Sequence, residues 1–324
     1  MEMLQAKYDP FRPDERLEKL VTETEKETVS SWGDFQQWLA PFNVGGCFRG
    51  HRDASWSLVT TLDRALWKTI SIEKDGICNT SATKVNPARN ERAALLEFQR
   101  GAHHYYASTP ASDQIVDWLA LMQHFGAPTR LLDWTRSPYV ALYFAMQGDS
   151  AGDSALWAID LQWFEERANE LLRQHDKGCP DRSDFKTLYE YTNRILLGDD
   201  NPGYIVAASP IRLNERMMAQ QGQFLCSLRH RGVFSASLLE MLIGPPTVDR
   251  QVVSKVVLKR DQRVQFLEEL RRMNIHSASL FPGLDGFARS IAVNLDIDVA
   301  HQMEDRKQEL IEELGQSQDR HRRK

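Results

Sequence analysis

Apolar residues recur at helical spacing in some stretches of the chain and form short continuous runs in others. After Pro13-Asp14, Leu17, Leu20 and Val21 lie at helical spacing, which predicts one or two amphipathic helices from residue 13 to residue 40. Short apolar runs between turn formers are typical of strands. They predict strands over residues 154–160, 204–209, 223–228 and 252–259.

A strand, a tight turn and a helix are predicted near the middle of the chain. The run 129–135 is short, apolar and compatible with a strand, and Ser137-Pro138 has the form of a helix start. Strands and helices are interspersed along the chain without the regular β-α-β rhythm of a parallel sheet. We therefore predict an α+β fold, with a mixed or antiparallel central sheet and flanking helices.

The composition is that of an ordinary globular chain and excludes several classes of protein. Of 324 residues, 42% are apolar; 40 Lys and Arg against 45 Asp and Glu give a net charge of −5. This mild acidity argues against a surface devoted to nucleic acid, which needs clustered Lys and Arg. No apolar run approaches the roughly 20 residues of a membrane span, and the start lacks a signal-peptide pattern, so we expect a cytoplasmic protein.

The cysteines give no sign of a metal site or a disulfide framework. The four cysteines are dispersed, without a Cys-x-x-Cys pair or a histidine at zinc-finger distance. We expect reduced thiols, and we predict neither a bound metal nor a prosthetic group.

The segment from Gln123 to Pro138 is the densest polar group in the sequence. It places an amide, an imidazole, two guanidiniums, a carboxylate and an indole around one turn. A core segment rarely satisfies so many polar groups. The segment therefore predicts either a buried hydrogen-bond network, in which Arg130 pairs with Asp133 or another acid, or a binding site; we favour the site.

Two further segments carry candidate chemistry. Arg49 follows Phe48 and precedes Gly50 on a short predicted strand, where its planar fork could be offered to a phosphate or a carboxylate. We expect Gly50 to keep the approach free of side chains. In the segment from Asn214 to Phe224, the amide of Gln221 could hold sugar hydroxyls or cap the turn.

Together these motifs resemble the bacterial FRG domain family. The resemblance rests on Phe48-Arg49-Gly50, on the run Gln123 to Thr135 with Ser137-Pro138, and on Leu280 to Gly286. It covers roughly residues 44–291 and implies a helical extension over 1–43 and a charged tail over 292–324. The family implies no firm activity.

A second resemblance, in the order of the motifs, is to the ADP-ribosyltransferase fold. In that fold an early arginine holds NAD and a late acidic residue completes the pocket. The resemblance implies that Arg49 holds the pyrophosphate and Gln221 the ribose, although Gln221 is not a carboxylate. The predicted catalytic residues are Arg49, Asp133 and Gln221, and the predicted ligand-binding residues are Phe48, Gly50, Gln123, His124, Arg130, Trp134 and Thr135.

Three functions are compatible with these residues. The first is an NAD-handling enzyme, an ADP-ribosyltransferase or NAD glycohydrolase acting as a toxin or anti-phage effector, with NAD as substrate. The second is a non-catalytic module that senses a nucleotide-like ligand or a protein partner. The third is a nuclease that combines His103, His104 or His124 with Asp133, but the adjacent pair His103 and His104 would point in different directions on a helix.

Overall fold

The chain folds around one mixed β-sheet of seven strands. The computed structural model describes residues 15–22, 28–42, 44–72, 86–148, 152–181, 183–198, 201–230, 234–243 and 251–322. The strands are β1 (Thr28–Val29), β2 (Gly46–His51), β3 (Leu131–Thr135), β4 (Ser154–Asp160), β5 (Ile205–Ala208), β6 (Gly222–Ser227) and β7 (Val253–Leu258).

Thirteen α-helices surround the sheet over the described ranges. They are α1 (Glu15–Thr22), α2 (Trp32–Leu39), α3 (Thr61–Ile72), α4 (Pro87–Ala102), α5 (Ile115–His124), α6 (Pro138–Met146), α7 (Leu161–His175), α8 (Phe185–Leu196), α9 (Glu215–Ala219), α10 (Phe234–Leu242), α11 (Arg263–Arg272), α12 (Ser277–Leu280) and α13 (Leu284–Arg322). None of the helices in this part of the chain has an apolar stretch long enough to cross a membrane.

The sheet order is β1-β7-β4-β2-β3-β6-β5. Only the edge strand β1 pairs in parallel, with β7, and every other neighbouring pair is antiparallel. The predicted α+β class with a mixed sheet is therefore confirmed. The sequence did not predict β1, because a two-residue strand is too short to show alternation and receives its hydrogen bonds from a remote partner.

Strand β2 has two faces with different roles, which explains the spacing of the Phe-Arg-Gly motif. Successive side chains on a strand point to opposite faces of the sheet. Phe48 is buried against the rings of Trp38 and Phe42. Arg49 points to the opposite face, towards the side chain of His51. The motif therefore contributes one residue to the core and the next residue to the other side of the sheet.

Gly50 is required by helix packing, on the same face as Phe48. A Cβ atom at Gly50 would overlap the carbonyl oxygen of Ala141 and lie 2.6 Å from the amide nitrogen of Ala145. Helix α6 can approach β2 this closely because Ala141 and Ala145 are small as well. The prediction that Gly50 clears a path for a ligand therefore needs correction, since its missing side chain makes room for α6.

The sheet opens between its two central strands. β2 pairs with β4 through six residue pairs and β3 with β6 through five, whereas β2 and β3 share the single pair Phe48 and Thr135. Beyond this pair the guanidinium of Arg49, through Nη1, donates a hydrogen bond to the backbone oxygen of Asp133. The Arg49 side chain thus supplies the donor that a backbone amide of β2 would supply if the pairing of β2 and β3 continued.

Helix α6 begins at the position predicted from the sequence. Ser137 is its N-cap, and the Ser137 hydroxyl accepts a hydrogen bond from the amide of Val140, 3.3 Å away. Pro138 follows in the first turn, where a missing N–H costs nothing. The predicted strand, turn and helix are confirmed as β3, the turn at Arg136 and α6.

The two terminal segments pack against two different apolar clusters of the fold, that of Leu17 and Val21 and that of Ile297. Leu17 and Val21 of α1 belong to the main apolar cluster, and the Lys255 ammonium on β7 lies 2.7 Å from the Glu18 carboxylate. At the other end, α13 continues through residue 292 without a break, and its Ile297 is buried. The domain boundaries at 43/44 and 291/292 stay predictions.

We predict that Gly50→Ala destabilises the protein through steric overlap between β2 and α6. Overpacking of this kind costs about 1–3 kcal/mol and sometimes more. The measurement is the free energy of unfolding from urea denaturation.

Gly101→Ala is the matched control, since Gly101 lies in α4 and a Cβ there meets no atom within 4 Å. Alanine favours a helix over glycine by roughly 0.5–1 kcal/mol, so this variant should be at least as stable as the wild type. Equal stability of the two variants would contradict the packing account of Gly50.

Candidate functional site

A cleft of about 960 Å³ lies where β2 and β3 diverge. Its walls come from β2, from the start of α3, from the end of α5, from β3, and from α9 with the start of β6; Phe281 and Arg289 of the C-terminal segment close one side. Clefts of this size accommodate small-molecule ligands and cofactors. The cleft is therefore large enough for a dinucleotide.

The side chains of the cleft are mainly basic and aromatic. Six aromatic residues line it: Phe48, Trp56, Trp134, Phe144, Phe224 and Phe281. Five arginines line it as well: Arg49, Arg52, Arg64, Arg216 and Arg289. Of the described residues in these walls, Asp133 alone carries a carboxylate. The cleft therefore presents positive charge beside flat apolar surfaces.

None of the five cleft arginines forms an ion pair with a described carboxylate. Arg52 lies over the ring of Trp56, with the guanidinium carbon 5.6 Å from the ring centroid. Arg64 donates to the backbone oxygen of Val59 at 3.1 Å. Elsewhere in the described chain many arginines pair with acids, for example Arg229 with Glu240 and Arg263 with Asp296. The cleft therefore holds five guanidiniums that no described carboxylate neutralises by an ion pair.

Arg49 is held at the centre of the cleft by two hydrogen bonds. Besides the bond to the Asp133 backbone oxygen, its Nε donates to Nε2 of His51 at 3.1 Å. Burial lowers the pKa of Arg49 to about 10, although the nearby charge of Asp133 raises it in part. Burial also lowers the pKa of His51 well below 6.5, with a further contribution from Arg49. His51 is therefore neutral at pH 7 and can accept this bond, while Arg49 stays charged.

Asp133 carries an exposed carboxylate on a central strand. It is the one exposed residue of β3, in which Leu131, Leu132, Trp134 and Thr135 are buried. Its backbone oxygen is taken by Arg49, but its side chain forms no ion pair among the described residues. Arg130 does not neutralise Asp133: of the two partners predicted for it, Asp133 or another acid, the structure shows another acid. Asp133 is consequently free to meet a ligand.

Arg130 does not line the cleft, although the sequence predicted that it would bind the ligand. Its guanidinium forms a fork with the carboxylate of Glu91 on α4, and both side chains are buried. Burial by itself would raise the pKa of Glu91, but the hydrogen bonds and the charge of Arg130 lower it by more, so the net shift is downward. Nε2 of His230 lies 3.5 Å from the same carboxylate. Arg130 thus belongs to a buried ionic network that holds β3 to α4.

Thr135 and Gln221 have structural roles in this geometry. The Thr135 hydroxyl donates to the backbone oxygen of Gln220 at 2.7 Å and accepts from the amide of Ser137 at 3.0 Å, so both of its functions are used. Gln221 is exposed, with a φ of 48°, and is not among the residues that line the cleft. Its neighbours Gln220 and Gly222 line the wall instead.

Three nitrogen atoms in the cleft wall have no hydrogen-bond partner among the described protein groups. They are Nε2 of Gln123, Nε1 of Trp134 and Nδ1 of His51. Gln123 Oε1 accepts a hydrogen bond from the Thr129 hydroxyl, which fixes the amide with its nitrogen as donor. Unsatisfied buried donors in a concave site mark places where a ligand can bind. Gln123 and Trp134 therefore keep their predicted role as ligand-binding candidates.

The remaining predicted ligand-binding residues lie at the cleft as well. Phe48, Gly50 and His124 line it, and burial lowers the pKa of His124, with a contribution from Arg216. His103 and His104 stack on each other with ring centroids 3.9 Å apart and are not among the lining residues. The nuclease hypothesis therefore retains only His124 and Asp133.

The described residues contain no group of three or more His, Cys, Asp or Glu side chains arranged to hold a metal ion. Cys47, Cys179 and Cys226 are free and buried, and Cys78 lies outside the described residues. Burial raises the pKa of both Cys47 and Cys226 to about 12, which keeps these thiols protonated. They are inert core residues, unlike reactive cysteines, whose pKa is lowered.

Of the five cleft arginines, the sequence assigned a site role to Arg49 alone; Arg216 was named only as part of the segment from Asn214 to Phe224. Arg52 and Arg64 follow β2, Arg216 lies in α9, and Arg289 lies in α13. No spacing signal joins residues so far apart. Phe281, which lines the cleft, lies in the motif Leu280 to Gly286, to which the sequence assigned no site residue. Only the fold brings these residues to one wall.

Residues 45–154 match the family model of the FRG domain. The chain therefore carries an FRG domain, as the motifs indicated, and the matched range runs from the residue before β2 to the first residue of β4. It contains both strands at the opening of the sheet, with Arg49 and Asp133. Searches among curated proteins and among solved structures found no match. The similarity to the ADP-ribosyltransferase fold stays a prediction.

We predict that Glu91→Gln lowers stability at pH 7, because it leaves the buried Arg130 charge without its counter-charge. Loss of one partner of a buried ion pair costs roughly 3–5 kcal/mol. The pKa of Glu91 is depressed in the folded state, so its contribution is complete above the ordinary value of 4.5 and is lost as the pH falls through the folded pKa. The stability gap between variant and wild type should therefore narrow below about pH 4.5.

The measurement is the unfolding free energy of both proteins between pH 3 and pH 8, where they remain soluble. Glu190→Gln on the exposed face of α8 is the control and should show no gap at any pH. A gap for Glu91→Gln that stays constant at low pH would contradict the ionic account of this network.

Proposed function

We propose that the cleft binds a nucleotide through its phosphates and that the protein is an NAD-handling enzyme. The observation that carries this proposal is the group of five arginines, none of them ion-paired within the described chain, around the one exposed carboxylate of Asp133. Uncompensated guanidiniums in a concave site attract anions, and arginine forks match phosphate geometry. The ligand is therefore an anion.

The aromatic walls favour a nucleotide over a simple anion. The exposed face of Trp56 and the rings of Phe144 and Phe281 line the same cleft as the arginines. Aromatic faces stack on planar bases, and each stacked base contributes about 1–3 kcal/mol in nucleic-acid complexes. A dinucleotide such as NAD has two flat rings joined by a pyrophosphate, and this combination agrees with the walls of the cleft.

We assign to Asp133, the carboxylate of the cleft wall, a role in cleavage of the nicotinamide–ribose bond. As this bond breaks, its electron pair leaves with nicotinamide and positive charge develops on the ribose. A carboxylate beside the ribose stabilises this oxocarbenium-like state. Water then bonds to the anomeric carbon and releases one proton, which gives ADP-ribose and nicotinamide; a protein nucleophile in place of water would give transfer. Arg49 would bind the pyrophosphate, and no described group of the chain is oxidised or reduced.

A second candidate function is recognition of the nucleotide without turnover. It is favoured by the structural use of the predicted motif residues, since Thr135 has both hydrogen-bonding functions occupied and Arg49 is tied to the main chain of β3. In this case the cleft would sense a nucleotide and pass the signal to a partner. The toxin or anti-phage role implied by the resemblance stays a prediction.

We predict that the purified protein releases nicotinamide from NAD and that Asp133→Asn lowers the rate at least about 100-fold. The asparagine keeps the size of the side chain but not its charge, so NAD should still bind. Arg49→Ala should instead weaken binding, because it removes a pyrophosphate contact. Nicotinamide release is followed by chromatography and NAD affinity by calorimetry.

Asp113→Asn and Arg272→Ala are matched controls on the exposed surface and should behave as the wild type. Circular dichroism checks that each variant is folded. NAD binding without nicotinamide release would favour the recognition module. Absence of NAD binding by the wild type would contradict both functions.

A further inference from the structure

The cleft arginines come from two opposite parts of the fold. Arg49 lies on β2, and Arg52 and Arg64 follow it in the chain. Arg216 lies on α9 and Arg289 on α13, far along the sequence. The charge of Asp133 raises the pKa of both Arg49 and Arg216, so its carboxylate lies within electrostatic reach of both groups. The positive charge is thus divided into two regions.

Arg216 and Arg289 converge on one aromatic ring. The guanidinium carbon of Arg216 lies 4.8 Å from the centroid of Phe281, and that of Arg289 lies 5.2 Å from it. Cation–π contacts hold a guanidinium in place and leave its N–H groups at the edge available to a ligand. Neither guanidinium forms a hydrogen bond or an ion pair with any described protein group.

Two like charges against one ring repel each other unless an anion lies between them. Desolvation lowers the pKa of Arg216; the charge of Asp133 raises it, and the smaller effect of Arg289 lowers it. The position of Phe281 itself is fixed closely, because a Cβ at Gly286 would overlap the Phe281 carbonyl oxygen as α13 begins. The two guanidiniums thus share one ring, and neither forms an ion pair, although the charge of Asp133 acts on Arg216.

We propose that Arg216 and Arg289 form a second anion subsite, which takes a phosphate monoester group of the bound nucleotide. The dianion of a phosphate monoester carries enough charge and enough acceptor oxygens for two guanidiniums. The pyrophosphate would bind at the Arg49 region, on the other side of Asp133. This inference rests on the proposed function for the identity of the nucleotide, but the subsite can be tested without it. The ligand class is a nucleotide with a separate 2′-phosphate.

The first test uses inorganic phosphate alone. A ligand that binds only the folded state raises the melting temperature. Phosphate should raise the melting temperature of the wild type more than sodium chloride of equal ionic strength, and the double variant Arg216→Gln with Arg289→Gln should lose this excess. Arg272→Gln, which changes an exposed arginine of α11, should keep it. No excess in the wild type, or an undiminished excess in the double variant, would overturn the subsite.

The charge-preserving double variant Arg216→Lys with Arg289→Lys guards against a folding defect. Lysine keeps the charge but not the fork, so a folded variant with a reduced but measurable phosphate response supports the proposal. A lysine variant that is folded and responds as weakly as the glutamine variant also supports it, since the fork is then required. A response equal to that of the wild type would show that the fork is not used and would contradict the assigned geometry.

The second test identifies the source of the phosphate. The wild type should bind NADP, which carries a 2′-phosphate, at least about tenfold more tightly than NAD, and the glutamine double variant should bind both equally. Equal affinities in the wild type would overturn the assignment to a nucleotide phosphate. If NAD and NADP both fail to bind while inorganic phosphate still responds through Arg216 and Arg289, the proposed function fails and the anion subsite stands.

Discussion

The opening of the sheet between β2 and β3 is the constraint on which the site depends. The two strands share one residue pair, and then the Arg49 guanidinium takes the backbone oxygen of Asp133 that a neighbouring strand would otherwise use. The guanidinium supplies this oxygen with a donor in place of a strand amide, so Arg49 stabilises the gap that it also lines. The same separation exposes Asp133 on a strand whose other residues are buried. Cleft, charge and carboxylate therefore arise from one local departure from regular sheet pairing.

Each residue of the Phe-Arg-Gly motif has a different structural role. Phe48 fills the aromatic cluster below the sheet, and Gly50 permits the close approach of α6. Between them Arg49 faces the cleft, because side chains alternate along a strand. The buried ion pair of Arg130 and Glu91 then holds β3 from the other direction. Arg130 is thus buried in an ion pair, whereas Arg49 lines the cleft, and the sequence alone does not distinguish these two arginines.

Local features of the sequence predicted the fold well, and they predicted the site only in part. The apolar runs of β4 and β7 and the start of α6 at Ser137-Pro138 are local signals, and the structure confirms them. Arg130 pairs with Glu91 of α4, 39 residues earlier in the chain, and no local pattern indicates this partner. Arg216 and Arg289 reach the cleft only through the packing of α9 and α13 around Phe281. Long-range geometry decides which charges stay unpaired, and a periodicity of two or 3.6 residues carries no such information.

The central claim is that unpaired arginines make this cleft an anion site beside Asp133. A crystal structure of the protein grown with ADP-ribose tests it most directly, since this ligand carries the pyrophosphate and lacks the bond to be cleaved. The account predicts pyrophosphate density within hydrogen-bond distance of the Arg49 guanidinium or its arginine neighbours, with the ribose next to the Asp133 carboxylate. Density for the ligand elsewhere on the protein, with the cleft arginines turned onto protein carboxylates, would contradict it.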